Sequence, residues 1–346
     1  MDIASLRAAL PLVQRTAYLN AGSVGPVPIS AFEAARLALE MELRDGRSGA
    51  HVRLRSELCE RLRIGWARVI GCDPSHLILA SSTREALARV LNGLRLGRGA
   101  EIVTSTSEHP ALEEPLRLAA ARGARVRAVP LSEVANAVRA GTTLVACSHV
   151  AWDSGEKAPE TLAELDVPVI LDGAQAAGAV PVNVAALGCA AYAAPGQKWL
   201  CGAEGTAMLF IHPELLEQLP TVYLCRDSGE SSRVTMALSL AALEFLETMG
   251  LEQLQRRAMK GAAMLAARLR ESGMRVTERN ESTLVAWSDR DPERSYKNLE
   301  AHSVIVKPMA DRALVRASVG GWTTDDDLDR LLNALRKSKS PGYRGH

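Results

Sequence analysis

The chain has 346 residues, a net charge of +1 and a hydrophobic fraction of 47%. This length predicts about two domains with a large core. The balanced charge favours neither a nucleic acid nor an anionic membrane as a partner. The first residues lack a signal-peptide layout, and we expect no membrane-spanning segment. The scattered cysteines include no CxxC pair, which indicates reduced thiols in a cytoplasmic protein rather than disulfides or a zinc site.

The beginning of the chain predicts an arm followed by two helices. Residues 1–28 suggest an extended arm with a short helix, packed with the C-terminal domain. A capping box formed by Ser30 and Glu33 predicts a helix that ends near Asp45. An amphipathic pattern predicts a second helix over about 52–70.

From residue 76 onward, apolar runs alternate with helical patterns. We predict strands over 76–80, 101–104, 124–130, 143–148, 168–172 and 206–211 and helices over 84–94, 110–121 and 131–139. Such alternation predicts a parallel or mixed sheet with helices on both faces, in a large domain of residues 29–225. Ligands of these sheets bind at the carboxyl ends of the strands.

The last third of the chain predicts a smaller α+β domain over residues 226–336. Its predicted helices cover 235–249, 251–272 and 325–337, and its predicted strands cover 275–277, 282–288, 303–308 and 313–318. The final residues, 337–346, are basic and rich in glycine, proline and serine, which indicates a flexible tail.

Lys198 is the most informative residue, because the chain has seven lysines against thirty-four arginines. It lies between glycine-flanked apolar segments, about 25 residues after a predicted strand that ends at Asp172. A partly buried lysine loses its charge easily and becomes a nucleophile toward aldehydes. A pyridoxal phosphate enzyme needs such a lysine, and an acid that keeps the pyridine nitrogen protonated. Lys198 and Asp172 are our candidates for these roles, although Asp172 alone could equally be a turn residue or helix cap.

The segment 77–87 predicts a strand, a polar turn and a helix start. Amide groups at such a turn attract phosphate, and the Ser82 hydroxyl can add a hydrogen bond. The same residues form a capping box of Ser82 and Glu85, which is the favoured interpretation when they are considered alone.

Four further residues are candidates with ordinary structural alternatives. His109 and His149 follow predicted strands, where a histidine could stack on a cofactor or move protons, but is more often structural. Trp152 could line a pocket or fill the core. Arg316 is a charge inside an apolar strand, which favours binding of a carboxylate over a structural ion pair.

Taken together, these segments resemble the class V aminotransferase, or cysteine-desulfurase-like, group of fold-type I pyridoxal phosphate enzymes. The resemblance is nearest to the branch of cysteine/cystine C–S lyases and isopenicillin N epimerase-like proteins. It covers nearly the whole chain and rests on seven motifs in the family's order: 18–28, 81–86, 108–111, 148–155, 172–178, 196–205 and 315–324. It implies a fold with a mainly parallel seven-stranded sheet and a smaller α+β domain. It also implies a homodimer with active sites at the subunit interface.

The resemblance also implies individual roles. Lys198 would link to the cofactor and move the Cα proton, and Asp172 would bond the pyridine nitrogen. Gln175 would contact the ring hydroxyl, and His109 would stack on the ring. The other implied contacts are to the phosphate (Ser82, Thr83), to the cofactor (Gln197) and to the substrate (Arg316, Asn20, Trp152).

The chain departs from the family's pattern in four respects. Gln197 replaces the histidine that desulfurases usually carry before the lysine, and Pro195 replaces a frequent phosphate-binding serine. The hydroxyl that a neighbouring subunit usually donates to the phosphate falls in the divergent stretch 226–235, where Ser231, Ser232 and Thr235 are candidates. No cysteine follows Cys225, which argues against a mechanism that stores sulfur as a protein persulfide.

These residues favour β-elimination from a cysteine- or cystine-type amino acid. The products would be pyruvate, ammonia and a thiol or persulfide. A transaminase or an amino-acid epimerase would use the same residues and stays open at this stage. A non-catalytic protein with this fold is the least favoured alternative.

Overall fold

The computed structural model describes residues 2–220 and 231–339, with side chains up to Lys337. The strands are Ala17–Tyr18 (β1), Leu77–Ala80 (β2), Glu101–Ser105 (β3), Arg125–Val129 (β4), Thr142–Ser148 (β5), Val169–Asp172 (β6), Ala191–Pro195 (β7), Ala207–Ile211 (β8), Leu284–Ser288 (β9), Val304–Ile305 (β10), Lys307–Met309 (β11) and Leu314–Ser318 (β12). The helices are Ile3–Ala8 (α1), Pro11–Arg15 (α2), Ile29–Asp45 (α3), Gly49–Ile70 (α4), Thr83–Gly93 (α5), Pro110–Ala121 (α6), Pro213–Leu216 (α7), Arg233–Met249 (α8), Leu251–Glu271 (α9), Pro292–Ala301 (α10) and Asp325–Lys339 (α11).

A seven-stranded sheet forms the centre of the large domain, with the strand order β2-β8-β7-β6-β5-β3-β4. β8 is antiparallel to its neighbours β2 and β7, and the other pairs are parallel. The predicted mixed sheet is therefore confirmed. β2 to β7 all end at the same edge of the sheet, and the loops that follow them can meet there.

Alternating residues of the sheet build two separate cores. In β6, Val169 and Leu171 pack with α4 and α8, whereas Ile170 packs with α5 and α6 on the opposite face. The sheet is therefore covered by helices on both faces, as its continuous apolar strands predict.

A second, smaller sheet has the antiparallel order β11-β12-β9 and packs on α9, α10 and α11. The arm joins this region, because β1 pairs with β10 and Asn20 forms an isolated bridge with Ser318. The Ser318 N–H also donates to the Leu19 carbonyl at 2.7 Å. These contacts place the arm beside β12, while the domain boundaries at 28/29 and 225/226 stay predictions.

No single helix in the described ranges is both long and apolar enough to cross a bilayer. Only α8 and α9 taken together meet that length and composition, and they bend by 78° relative to each other.

Three predicted features of the elements are wrong. The capping box at Ser30 does not form, because α3 begins at Ile29 after Pro28 and Ser30 lies inside its first turn. The predicted helix over 131–139 is only a short 3-10 turn, since the Arg139 N–H donates to the Thr142 hydroxyl instead of continuing a helix. The predicted strand over 275–277 is reduced to one isolated bridge between Val276 and Trp287.

β7 and α10 are among the elements that the sequence interpretation missed, and α11 is longer than predicted. β7 is rich in alanine and lacks β-branched residues, so its sequence carries little strand signal. α10 is largely polar, although Asp291 caps it and Pro292 occupies its first position. α11 continues to Lys339, into the predicted tail, and residues 340–346 lie outside the described residues.

Candidate active site

A cavity of about 340 Å³ lies at the carboxyl edge of the seven-stranded sheet. The arm, the loops after the strands and the small domain all contribute to its walls. Nine of the ten predicted site residues line it: Ser82, Thr83, His109, Trp152, Asp172, Gln175, Gln197, Lys198 and Arg316. The fold therefore brings together residues that are up to 234 positions apart in the chain (82 to 316).

Lys198 lies in the loop after β7, and its side chain is partly buried. Burial lowers the pKa of its amine to about 8, with Asp172 opposing this shift and Arg316 adding to it. The arm closes over this loop, because the Gly25 N–H donates to the Gln197 carbonyl at 2.7 Å. A Cβ at Gly25 would lie 2.1 Å from the Lys198 carbonyl oxygen, so this approach requires glycine.

Asp172 is the last residue of β6 and is almost fully buried. One carboxylate oxygen accepts a hydrogen bond from the Ala174 N–H at 2.8 Å, so the turn-capping interpretation holds. Burial raises the pKa of the carboxyl group, and the nearby Lys198 charge opposes that shift. A buried carboxylate with a single backbone donor suits a cationic partner in the cavity.

Ser82 and Thr83 form the start of α5. The Ser82 hydroxyl accepts a hydrogen bond from the Glu85 N–H at 3.1 Å, and the Glu85 carboxylate accepts from the Ser81 N–H at 3.1 Å. The capping interpretation of Ser82 is therefore correct. The Thr83 hydroxyl is buried and has no partner. Free amide groups of the first turn and this unpartnered hydroxyl together favour an anion at the helix start.

His109 caps α6, since its Nδ1 accepts a hydrogen bond from the Ala111 N–H at 3.1 Å. This bond assigns the ring proton to Nε2. Burial lowers the pKa of His109 to about 4, and the positive charges of Lys198 and Arg316 act in the same direction. The ring is therefore neutral, and it meets Trp152 edge-to-face with a centroid distance of 5.4 Å.

Two glutamines complete the large-domain wall. The Gln175 amide nitrogen donates to the Gly22 carbonyl at 2.8 Å, and its oxygen accepts from the Trp199 indole at 3.2 Å. These bonds fix the Gln175 side chain between the arm and the lysine loop. The Gln197 side-chain oxygen is buried and has no partner, which leaves an acceptor at the cavity.

Arg316 is 2% exposed, and no carboxylate in the described part of the chain lies within 4 Å of it. One terminal nitrogen donates to the Trp152 carbonyl at 2.5 Å, the other donates to the Ser23 hydroxyl at 3.4 Å, and Nε has no partner. Burial lowers the pKa of the guanidinium to about 10, and Asp153 opposes the shift. A buried guanidinium without an anionic partner suits an anionic ligand.

Two residues singled out in the sequence lie outside the cavity lining. The Asn20 side-chain oxygen accepts a hydrogen bond from the Ser23 hydroxyl at 2.8 Å, so Asn20 supports a cavity residue without facing the cavity. His149 is buried, with its Nδ1 3.1 Å from the Tyr192 hydroxyl. His149 is therefore structural in these contacts.

Three polar or charged residues of the cavity lining were not among the predicted site residues, namely Ser23, Arg84 and Lys307. Arg84 already forms an ion pair with Glu114 at 2.5 Å. Lys307 lies directly opposite Arg316 in the β11–β12 register, and no described carboxylate lies within ion-pair distance of it. Pairing of the predicted strands 303–308 and 313–318 as a hairpin could have indicated this juxtaposition.

Comparisons with known proteins give the class of the chain. The profile described as Aminotransferase class-V matches residues 32–331. The chain therefore belongs to the class V aminotransferase family, a family of pyridoxal phosphate-dependent enzymes.

Individual relatives have several different activities. The chain is 33% identical over 221 residues to an isopenicillin N epimerase from Streptomyces clavuligerus. The matched region covers 58% of this chain and 54% of the relative. It is 26% identical to a probable cysteine desulfurase from Halalkalibacterium halodurans, and this match covers 95% of the chain and 94% of the relative. The chain spans 54% to 60% of the length of the first three curated relatives that it matches.

Solved structures confirm the predicted fold. The cystine C-S lyase C-DES in complex with cysteine persulfide has a TM-score of 0.86, at 24% identity and with 94% of this chain and 98% of that chain covered. A cysteine desulfurase from Thermococcus onnurineus has a TM-score of 0.85 at 21% identity, with 97% of each chain covered. At these identities the likeness concerns the fold alone.

The cavity fits pyridoxal phosphate on its own chemistry. It holds a lysine with a lowered pKa, a buried carboxylate with one backbone donor and no ion pair within the described ranges, and a helix start with an unpartnered hydroxyl. These are the groups that the aldehyde, the pyridine nitrogen and the phosphate of the cofactor require.

Proposed function

We propose that the protein is a lyase that eliminates the β-sulfur substituent from a cystine-type amino acid. The products are pyruvate, ammonia and a persulfide. The observation that carries this proposal is the cation pair of Arg316 and Lys307, side by side at the cavity. Like charges on directly opposed strand residues repel each other, so a ligand with two anionic groups would stabilise them.

Cystine has one carboxylate at each end. In our proposal Arg316 binds the carboxylate next to the reacting Cα, because it is the buried member of the pair and lies beside Trp152. Lys307 is exposed and binds the distal carboxylate. Holding both ends would orient the Cα–H bond near Lys198.

The family resemblance supports a set of cofactor contacts. Asp172 would hold the pyridine nitrogen, Gln175 the ring hydroxyl, and Thr83 with Ser82 the phosphate. His109 would contact the ring, and Gln197 would supply an acceptor. When bound, the cofactor stabilises negative charge at Cα.

The protein residues then move one proton and orient the bond that breaks. Lys198 as a free amine takes the Cα proton, which its lowered pKa favours. The Cβ–S bond breaks, and its electron pair leaves with the sulfur as a persulfide anion, which a proton neutralises. The released aminoacrylate reacts with one water to give pyruvate and ammonia. No oxidant or reductant is required.

The distribution of thiols supports elimination over storage of sulfur on the protein. The sequence has no cysteine after Cys225. No cysteine lines the cavity in the described ranges, and Cys201 is buried with its pKa raised by burial to about 12. The five described cysteines are free thiols, which supports a reducing compartment such as the cytoplasm.

Epimerisation is the second candidate. The observation that favours it is the 33% identity to an isopenicillin N epimerase over 221 residues. An epimerase would return the proton to the opposite face of Cα without breaking a bond at Cβ.

Product analysis in deuterium oxide separates these functions. The enzyme loaded with pyridoxal phosphate is incubated with L-cystine, and separately with L-alanine plus a keto acid, and the products are followed by NMR. Elimination gives deuterated pyruvate from cystine alone. Transfer of the amino group to the keto acid, or a D-amino acid labelled at Cα, would contradict the proposal.

We also propose that the enzyme forms a homodimer through α3. Ile29, Phe32, Leu39 and Leu43 follow one face of this helix and are exposed, with Leu43 at 84%. The arm runs directly from the cavity residues Gly22 and Ser23 to this face, so a second copy bound here would adjoin the cavity.

The oligomeric state can be measured by sedimentation. Phe32→Glu combined with Leu43→Glu should shift the protein to a monomer. Leu118→Glu provides a matched control, because Leu118 is an exposed leucine on α6. A dimer that survives both changes on α3 would contradict this interface.

A further inference from the structure

Trp152 is in contact with the large and the small domain at once. Its indole meets the His109 ring edge-to-face at 5.4 Å on the large-domain side. Its carbonyl accepts the hydrogen bond from Arg316 on the small-domain side. The indole nitrogen is buried without a partner. The orientation of this one residue therefore affects both His109 and the Arg316 guanidinium.

Arg312 packs on the same indole from outside the cavity. Its guanidinium carbon lies 5.6 Å from the centroid of the Trp152 ring. Arg312 ends the short turn between β11 and β12, and Ala313 after it has a positive φ of 52°. Arg312 does not line the cavity itself.

A buried carboxylate holds the guanidinium in this place. Arg312 pairs with Asp153 at 3.4 Å, and the same Asp153 oxygen accepts a hydrogen bond from the Ser107 hydroxyl at 2.6 Å. Asp153 is 5% exposed, and its other oxygen has no partner. The Asp153 carboxylate, in the residue after Trp152, thus holds the Arg312 guanidinium on the indole.

We propose that Arg312 is a positioning residue of the active site. Arg312 holds the Trp152 indole against His109. Through the hydrogen bond from Arg316 to the Trp152 carbonyl, it also positions the Arg316 guanidinium. This role concerns substrate binding in the cavity and does not depend on which reaction follows. An experiment that contradicts this role of Arg312 therefore leaves the lyase proposal untouched, and the reverse also holds.

The central variant is Arg312→Gln, which removes the charge and the guanidinium plane. We expect KM for the amino acid to rise about five- to tenfold, with kcat changed less than about twofold, because Arg312 touches neither the substrate nor the cofactor. Arg312→Lys keeps a charge for Asp153 but lacks the planar stack, so its KM should lie between the wild type and Arg312→Gln. Arg290→Gln is the matched control, since Arg290 is an exposed arginine of the same domain.

A second readout does not require activity. The tryptophan emission assigned to Trp152 is obtained in the protein without cofactor, as the difference between the wild type and Trp152→Phe. Arg312→Gln, measured in both backgrounds, should shift this emission to longer wavelength, because the indole loses its packing partner. Arg290→Gln should leave it unchanged.

A double-mutant cycle tests whether Arg312 acts through Trp152. In a Trp152→Leu background, Arg312→Gln should change KM by less than about twofold. Three outcomes would overturn the proposal: unchanged KM and emission in Arg312→Gln, the same effects in Arg290→Gln, or a full effect of Arg312→Gln in the Trp152→Leu background. Arg312→Lys keeps the test valid if Arg312→Gln does not fold.

Discussion

The two walls of the cavity differ in origin and in charge. The large-domain wall contains Lys198, one buried acid, neutral polar groups and Arg84, whose charge is paired with Glu114. The small-domain wall presents Arg316 and Lys307, and no described carboxylate of that domain lines the cavity. The first wall matches the needs of the cofactor, and the second matches an anionic substrate. The groups that suit the cofactor and the groups that suit the substrate therefore lie on different walls of the cavity.

The largest effect is expected on the large-domain wall. Lys198→Ala removes the amine that links the cofactor and takes the Cα proton, so turnover should fall by more than about 10³-fold. The absorbance of the bound cofactor should change as well. Lys260→Ala, at an exposed position of α9, is the control and should retain activity. An unchanged cofactor absorbance spectrum in Lys198→Ala would show that Lys198 does not link to the cofactor.

Asp172→Asn keeps the shape of the wall and removes its charge. The cofactor should stay bound, while kcat falls on the order of 100-fold, because the pyridine nitrogen loses the acid that keeps it protonated. Steady-state kinetics and the absorbance spectrum together check this. Asp166→Asn is an exposed control, and nearly normal kcat in Asp172→Asn would show that its charge is unimportant.

On the small-domain wall, Arg316→Gln should raise KM about 100-fold for any amino acid with a free carboxylate, since it removes a charge-assisted pair. The cofactor spectrum should stay normal. Titration with an amino acid that cannot react gives the affinity directly. A large loss of kcat with unaltered binding would place Arg316 in the chemistry instead.

Lys307→Gln should have a narrower effect. KM for L-cystine should rise about tenfold, while KM for S-methyl-L-cysteine, which has a single carboxylate, should stay within about twofold. The ratio of the two KM values is the measurement. If KM rises by the same factor for both substrates, Lys307 does not bind the distal carboxylate.

The rate at which the cofactor-free protein takes up the cofactor should depend on pH. Cofactor uptake by the cofactor-free protein requires the neutral Lys198 amine, whose pKa is lowered to about 8. The uptake rate should therefore increase about tenfold per pH unit below pH 8 and level off above it. With a lysine of ordinary pKa, the uptake rate would keep increasing toward pH 10. Stopped-flow absorbance across this range distinguishes the two curves.

Much of the large-domain wall was predictable from the sequence. Asp172 and Ser82 lie at the ends of clearly apolar strands, and the carboxyl ends of parallel strands meet at one edge. The polar residues after those strands therefore had to approach each other. The lysine loop could be placed on motif alone, because the strand before it, β7, carries almost no pattern.

The small-domain wall was less predictable. The pairing of Lys307 with Arg316 depends on the register of two short strands, which turn geometry and packing decide. His109 and His149 show the same limit. Both follow strands of the sheet, both are neutral because burial lowers their pKa to about 4, and only His109 lines the cavity. The direction of a side chain after a strand end depends on contacts that one sequence does not display.

The most direct test is pyruvate release from L-cystine by the purified protein, with pyridoxal phosphate present and no keto acid added. We expect pyruvate at a steady catalytic rate in the wild type and none in Lys198→Ala. Absence of pyruvate from a wild-type protein that carries the cofactor would contradict β-elimination.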